Sequence, residues 1–321
     1  MIRLSICAVF SVCLLCFAGA LPAQPYPSKP IRLVVPYAPS GGTDVFARLL
    51  SQKLSEILRY QVVVENRAGA NGIIGSEIVA NAPADGYTLL ITTNALTVNP
   101  SLYQKIPYDT LKAFAPVTIG ATTYNLLAVH PSLPVKTVKD LITLAKARPG
   151  QLNFASGGTG QPSHLAGELF RLMAGIKIVH IPYKGTGASI ADLLSGNVPL
   201  TFSSIPSLLP YVTSGKLRPL GVTGPKRVSV LPNVPPVAET LPKFDMRLWY
   251  GILAPAGTSK EIVDKLHSAI VKALAFPEIK NRLSNLAYEP GGETPEEFGA
   301  VIKRDLVQWA RVIKEAGIRM Q

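Results

Sequence analysis

Beyond residue 16 this chain of 321 residues has no cysteine; Cys7, Cys13 and Cys16 are all it contains. A mature form that has shed its first residues can make no disulfide, hold no thiolate-bound metal and use no cysteine nucleophile. Acid is scarce too, with Asp+Glu 20 against Lys+Arg 32 and a formal net charge of +12. The excess is scattered. No Lys/Arg run is longer than two residues and none is interleaved with aromatics, which argues against a nucleic-acid stripe and for attraction of small anions. With 47% hydrophobic and 16% charged residues the chain is neither disordered nor a coiled coil, and its length suits about two α/β units.

Catalytic motifs are missing as well. Neither glycine-rich turn supplies G-x-G-x-x-G, no G-x-x-x-x-G-K-[ST] occurs, and Gly257-Thr258-Ser259-Lys260-Glu261 lacks the last glycine of a nucleophile elbow. The four histidines, His130, His164, His180 and His267, show no paired-ligand spacing. His164 and Glu168 stand one turn apart on a predicted helix, where they read as an ordinary surface pair. Nothing assembles nucleophile, base and oxyanion hole. The chain reads as a binder, not an enzyme, with no cofactor and no metal.

What is present begins with an address. Arg3 precedes an apolar run from Ile6 to Ala18, and Ala18-Gly19-Ala20, or Ala23 before Gln24, offers a cleavage site. The run is shorter than the ~20 residues a membrane-spanning helix needs. Residues 1–23 are therefore read as a cleaved secretory signal peptide.

After it, strands and helices alternate. Ile31 to Pro36, Gln61 to Glu65 and Tyr87 to Thr93 read as strands, with helical spacing between them, which predicts a parallel sheet covered by helices. The pattern restarts after the apolar stretch Ala115 to Val129, with helices predicted near 138–147, 162–174 and 188–194. Residues 219–243 are Pro-rich and read as loop, Met246 to Ala254 as a strand, and two amphipathic helices over 261–275 and 295–316 close the chain.

One motif recurs. Ser-Gly-Gly-Thr stands at 40–43 and again at 156–159, each time after a strand and before a helix. Such turns leave backbone N–H groups accessible at a helix N-terminus, a site for carboxylate or phosphate that needs no arginine. Two units with one turn each suggest two lobes facing a shared cleft.

The chain also resembles a known family. The residues that carry the likeness are Tyr26-Pro27-Ser28-Lys29-Pro30-Ile31-Arg32, Pro39-Ser40-Gly41-Gly42-Thr43-Asp44, Pro83-Ala84-Asp85-Gly86-Tyr87-Thr88-Leu89, Ser163-His164-Leu165-Ala166-Gly167-Glu168, Pro182-Tyr183-Lys184-Gly185, Asp192-Leu193-Leu194-Ser195-Gly196 and the run from Trp309 to Gly317. Together they resemble the Bug-type extracytoplasmic solute receptors of tripartite tricarboxylate transporters. Ser40 departs from the glycine that often opens the first loop.

The resemblance implies a two-lobed, type II-like periplasmic binding fold, each lobe a sheet flanked by helices, joined by two crossover strands near Thr123 and Met246–Trp249. Lobe one would comprise residues 24–123 and 248–321, and lobe two residues 124–247. It implies a small carboxylate ligand (a di- or tricarboxylate, amino acid or aromatic acid) and delivery by a periplasmic monomer to membrane transport subunits. A periplasmic sensor and a secreted α/β hydrolase are the alternatives. Carried onto this sequence, the candidates in the first lobe are Tyr37, Ser40, Gly41, Gly42, Thr43 and Asp44, with Thr92, Asn94 and Ala95 from the stretch Thr92 to Ala95. In the second they are Ser156, Gly157, Gly158, Thr159, Gly160, His164, Tyr183, Lys184, Gly185, Thr186, Ser203 and Ser204.

Overall fold

The computed structural model describes residues 26–318, and the expected signal peptide lies outside them. Strands β1 (Ile31–Val35), β2 (Val62–Asn66) and β3 (Thr88–Thr92) run parallel in the order β2-β1-β3, linked through α1 (Gly42–Leu58) and α2 (Ile73–Ala80). Leu33 and Val35 enter one hydrophobic cluster with Phe46, Leu50 and Ile270, while Val34 enters another with Leu90, Leu253 and Phe298. Burial on both faces is why Ile31-Arg32-Leu33-Val34-Val35 is almost wholly apolar.

After α3 (Ala95–Leu102) comes β4 (Phe114–Val129), a strand of 16 residues that serves two half-sheets. From Phe114 to Tyr124 it pairs antiparallel with β9 (Arg247–Pro255); from Asn125 to Val129 it pairs with β7 (Leu200–Ser204) and β8 (Arg218–Val222). Beyond β7 lie β5 (Asn153–Ser156) and β6 (Val179–Pro182), all parallel. Helices α4 (Val138–Ala147), α5 (Pro162–Ala174), α6 (Thr186–Leu194) and α7 (Ile205–Thr213) complete this second lobe, whose core includes Leu127, Phe154, Phe170 and Phe202. The chain returns along β9 to the first lobe, where α8 (Lys260–Ala275), α9 (Pro277–Asn285) and β10 (Glu289–Pro290) follow. The result is a two-lobed α/β fold threaded by one sheet, β2-β1-β3-β9-β4-β7-β5-β6.

The last helix, α10 (Pro295–Ala316), has the ends its sequence announces. Thr294 and Glu297 form a reciprocal capping box, Pro295 opens the first turn, and Gly317 stops the helix at φ 68°. Its first half supplies Phe298 and Ile302 to the first lobe's core, and its second half supplies Trp309 and Ile313 to the second lobe's core. It straps the lobes together.

The structure corrects several expectations. The sheet is parallel only toward its two ends; β4 and β9 run antiparallel because one carries the chain out of the first lobe and the other brings it back. Helices α3, α7 and α9 escape the periodicity reading because each contains proline. Pro206 and Pro277 sit in first turns, where a missing N–H costs nothing. Strand β8 begins at Arg218, runs into the predicted loop and carries Pro219, tolerated where its register against β4 shifts between Leu127 and Ala128. Finally, His164 and Glu168 are no surface pair: they are 3% and 6% exposed.

Candidate functional site

Between the lobes lies a cavity of about 280 Å³. The first lobe contributes the loop from β1 into α1, through Tyr37, Ala38, Pro39, Gly41, Gly42 and Thr43. Thr93 follows from the end of β3, and Leu248 and Tyr250 come from one face of β9. The second lobe contributes Asn125 on β4, Gln161 to Ser163 opening α5, Lys184 to Ala188 opening α6, and Ser203 and Ser204 ahead of α7.

Four helices thus begin at this cavity: α1, α5, α6 and α7. First-turn N–H groups have no acceptor within a helix, and each N-terminus carries a partial positive charge. In α1 the first amide with a helical partner is Val45, bonded to Gly41 O at 3.0 Å; in α6 it is Ser189, bonded to Gly185 O at 3.4 Å. Donors at Gly42, Thr43, Thr186, Gly187 and Ala188 are left over. Lys184 is the one charged side chain among the described residues of the wall, and it is exposed. The potential in the cleft is positive by construction.

Asp44 does not oppose it. Its carboxylate is turned into the protein, accepting from Ser40 N–H and Arg48 Nε at 3.0 Å each and from Asn66 Nδ2 at 2.9 Å. Burial raises its pKa, but these bonds, Arg48's foremost, outweigh burial and hold the carboxyl below its ordinary value. The same bonds shape the loop, in which Ser40 is left-handed at φ 66°. Glycine is the usual residue in that conformation, so serine is accommodated there by its amide's bond to Asp44.

Of the sequence candidates, the cavity wall brings together Tyr37, Gly41, Gly42, Thr43, Lys184, Gly185, Thr186, Ser203 and Ser204. Ser40 and Asp44 support the first loop without lining it. Thr92 lies behind Tyr37, whose hydroxyl is 3.0 Å from Thr92 Oγ1 and Thr93 Oγ1. Asn94 and Ala95 are buried elsewhere; Asn94 Oδ1 accepts from Trp249 N–H at 3.1 Å and its Nδ2 donates to Asp305 at 3.3 Å. Tyr183 donates to Asp192 Oδ2 at 2.6 Å, and burial with this carboxylate pushes its phenol up to about 12. Ser156, Gly157, Gly158, Thr159, Gly160 and His164 lie beneath the wall rather than in it.

Thr93, within the expected stretch Thr92 to Ala95, does line the wall; the residues missed were Ala38, Pro39, Asn125, Gln161, Pro162, Ser163, Gly187, Ala188, Leu248 and Tyr250. A signal for some existed: Gln161-Pro162-Ser163 directly follows the glycine turn, and Pro at N1 marks a helix start. Among the described residues no group of three or more His, Cys, Asp or Glu could hold a metal, and no helix is long and apolar enough to cross a membrane.

Comparison with known proteins decides the class. Residues 46–318 match the family described as TctC, Tripartite tricarboxylate transporter family receptor. The chain belongs to that family. The receptor also superimposes on solved relatives along nearly its whole length. The Rpa4515 protein of R. palustris, solved with adipate, is 37% identical with a TM-score of 0.88, covering 92% of this chain and 100% of that one. The periplasmic binding protein BugD is 34% identical with a TM-score of 0.86 at the same coverage. MatC (Rpa3494) from Rhodopseudomonas palustris, with bound malate, is 28% identical with a TM-score of 0.84, covering 90% and 100%. The receptor is a Bug-type solute-binding protein and not an enzyme, and receptors of this type are periplasmic.

Proposed function

We propose that the cleft captures a small carboxylate and that the loaded receptor presents it to the membrane subunits of a tripartite tricarboxylate-type transporter. One observation carries this reading: helix N-termini from both lobes, together with Lys184, converge on a single cavity whose wall holds no acidic side chain. Each bond from such an amide to a carboxylate contributes about 1.5–3 kcal/mol. The adipate and malate bound by relatives support the same chemistry.

The donors are split between the lobes, so binding and closure are one event. The first lobe spans residues 24–123 and 248–321 and the second residues 124–247, a division supported by the change of partner along β4 between Tyr124 and Asn125. The mature chain, freed of residues 1–23, works in the periplasm as a monomer.

Mass spectrometry of the molecule retained by gently purified protein, followed by calorimetry with adipate and malate, tests the reading. A retained carboxylate that also compacts the protein in solution scattering is expected. A retained cation or neutral ligand, or binding without compaction, refutes it.

A further inference from the structure

We propose that His164 and His180 are positioning residues, a stacked imidazole pair that locks the turn Ser156 to Gly160 and, through it, two of the helix N-termini that wall the cleft. The inference rests on the anion-binding reading of that cleft. The turn is not itself part of the wall, but Gly157 ties it there. Its N–H donates to Ser163 Oγ at 3.2 Å, and its carbonyl accepts from Gly185 N–H at 2.9 Å. Ser163 stands in the first turn of α5, and Gly185 is the N-cap of α6.

Hydrogen-bond direction assigns the protons on both rings. Gly160 N–H donates to His164 Nδ1 at 3.0 Å, so that nitrogen is bare and the neutral ring carries its proton on Nε2, 3.9 Å from Glu168 Oε1. Ser156 Oγ accepts from Gly158 N–H and donates its only proton to Gly158 O, both at 3.1 Å. His180 Nε2, 2.6 Å from the same Oγ, must then be the donor. The rings stack 3.8 Å apart at 19°, with Phe154 5.0 Å from His180.

The arrangement fails if His164 takes a second proton, which would sit on Nδ1 and face the Gly160 amide. Burial, then the charges of His180 and Arg171, push His164 down to about 3, and burial pushes His180 down to about 4. Both stay neutral wherever a periplasmic protein operates. Backbone accuracy matters most at Gly160, which is left-handed at φ 79° and so close to the first lobe that a Cβ there would strike Leu102 and come within 2.8 Å of Asn71 Nδ2. The turn that the histidines hold is therefore also a contact between the lobes.

Two substitutions separate positioning from packing. His164→Phe keeps the stacked ring without the acceptor; His164→Asn puts an amide oxygen where Nδ1 was. The Phe variant should weaken binding of adipate and malate by roughly tenfold and speed exchange of the Gly160 amide, with Asn restoring both to within about threefold. Nitrogen NMR of the wild-type protein at neutral pH should show Nδ1 of His164 bare and Nε2 of both rings protonated. The proposal is overturned if the Phe variant binds like wild type with a slow Gly160 amide, if Asn is no better than Phe, or if His164 Nδ1 carries the proton. Should wild-type protein bind neither acid, amide exchange with the nitrogen signals decides the positioning role alone, and the molecule retained on purification decides the carboxylate reading.

Discussion

The hydroxyl of Tyr288 donates to the carbonyl oxygen of Gly42 at 2.8 Å, joining residues 246 positions apart. Tyr250 Oη and Ser204 Oγ of the second lobe crowd the same glycine, 2.7 Å and 3.4 Å from where a Cβ on Gly42 would stand. Burial pushes both phenols well above their ordinary range, so both remain protonated donors. The first turn of α1, the cavity floor and the facing lobe thus meet at Gly42.

Tyr288→Phe removes the proton that Gly42 O accepts. A neutral hydrogen bond is worth about 1 kcal/mol, so ligand affinity should fall roughly three- to tenfold, with the rings still packed. Calorimetry on the Phe variant checks this. Unchanged affinity would mean the bond from Tyr288 to Gly42 does not set the position of α1.

Gly42 and Gly41 should respond differently to a methyl group. A Cβ on Gly42 would lie 2.7 Å from Tyr250 Oη and 3.4 Å from Ser204 Oγ, whereas one on Gly41 would meet only Ala38 O at 3.7 Å. Gly42→Ala should therefore obstruct closure and weaken binding by about tenfold, or ~1.4 kcal/mol, while Gly41→Ala changes affinity by less than about threefold. Scattering with saturating ligand should show the Gly42 variant less compact than wild type. Equal effects of the two variants would count against this placement of the closing contact.

Much of the frame was legible because its signals are local. Capping at Thr294 and Gly317, the doubly buried β1, and the glycine turns before helices all follow from nearest-neighbour chemistry. The wall of the cavity was most legible where loop and helix start coincide, as at Gly41, Gly42 and Gly185. Asn125, Leu248 and Tyr250 sit on the crossing strands, and strand alternation alone says nothing about which face meets the cleft. Asn94 shows the converse: the resemblance named it as a ligand contact, and its amide instead joins Trp249 to Asp305.

The histidine pair predicts a pH dependence of stability. In the unfolded chain both titrate near 6.5, but in the folded protein only near 3 and 4. Below pH 6.5 the unfolded state binds protons that the folded state refuses, so stability falls as pH drops toward 4, by about 1.4 kcal/mol per pH unit for each histidine. Above 6.5 neither ring contributes to the slope. Urea midpoints should be lower at pH 5 than at pH 7, and the gap should shrink when both histidines are replaced by asparagine. A gap of the same size in that double variant would show that other groups cause it.

Helix α10 makes the lobes one folding unit. Asp305 stands at its middle, 4% exposed, accepting from Trp249 Nε1 at 2.8 Å, so the helix is pinned to crossing strand β9 between its two apolar halves. Ile313, 3% exposed, belongs to the second lobe's core although the helix starts in the first. Ile313→Ala should cost about 2–4 kcal/mol through lost burial and the cavity left behind. A chain ending after Gln308 loses Trp309 and Ile313 together, and its second lobe should unfold before the first, so that calorimetry resolves two transitions where the full chain shows one. If the shortened chain still melts in a single transition near the original temperature, the two strands alone couple the lobes and the helix is only a cover.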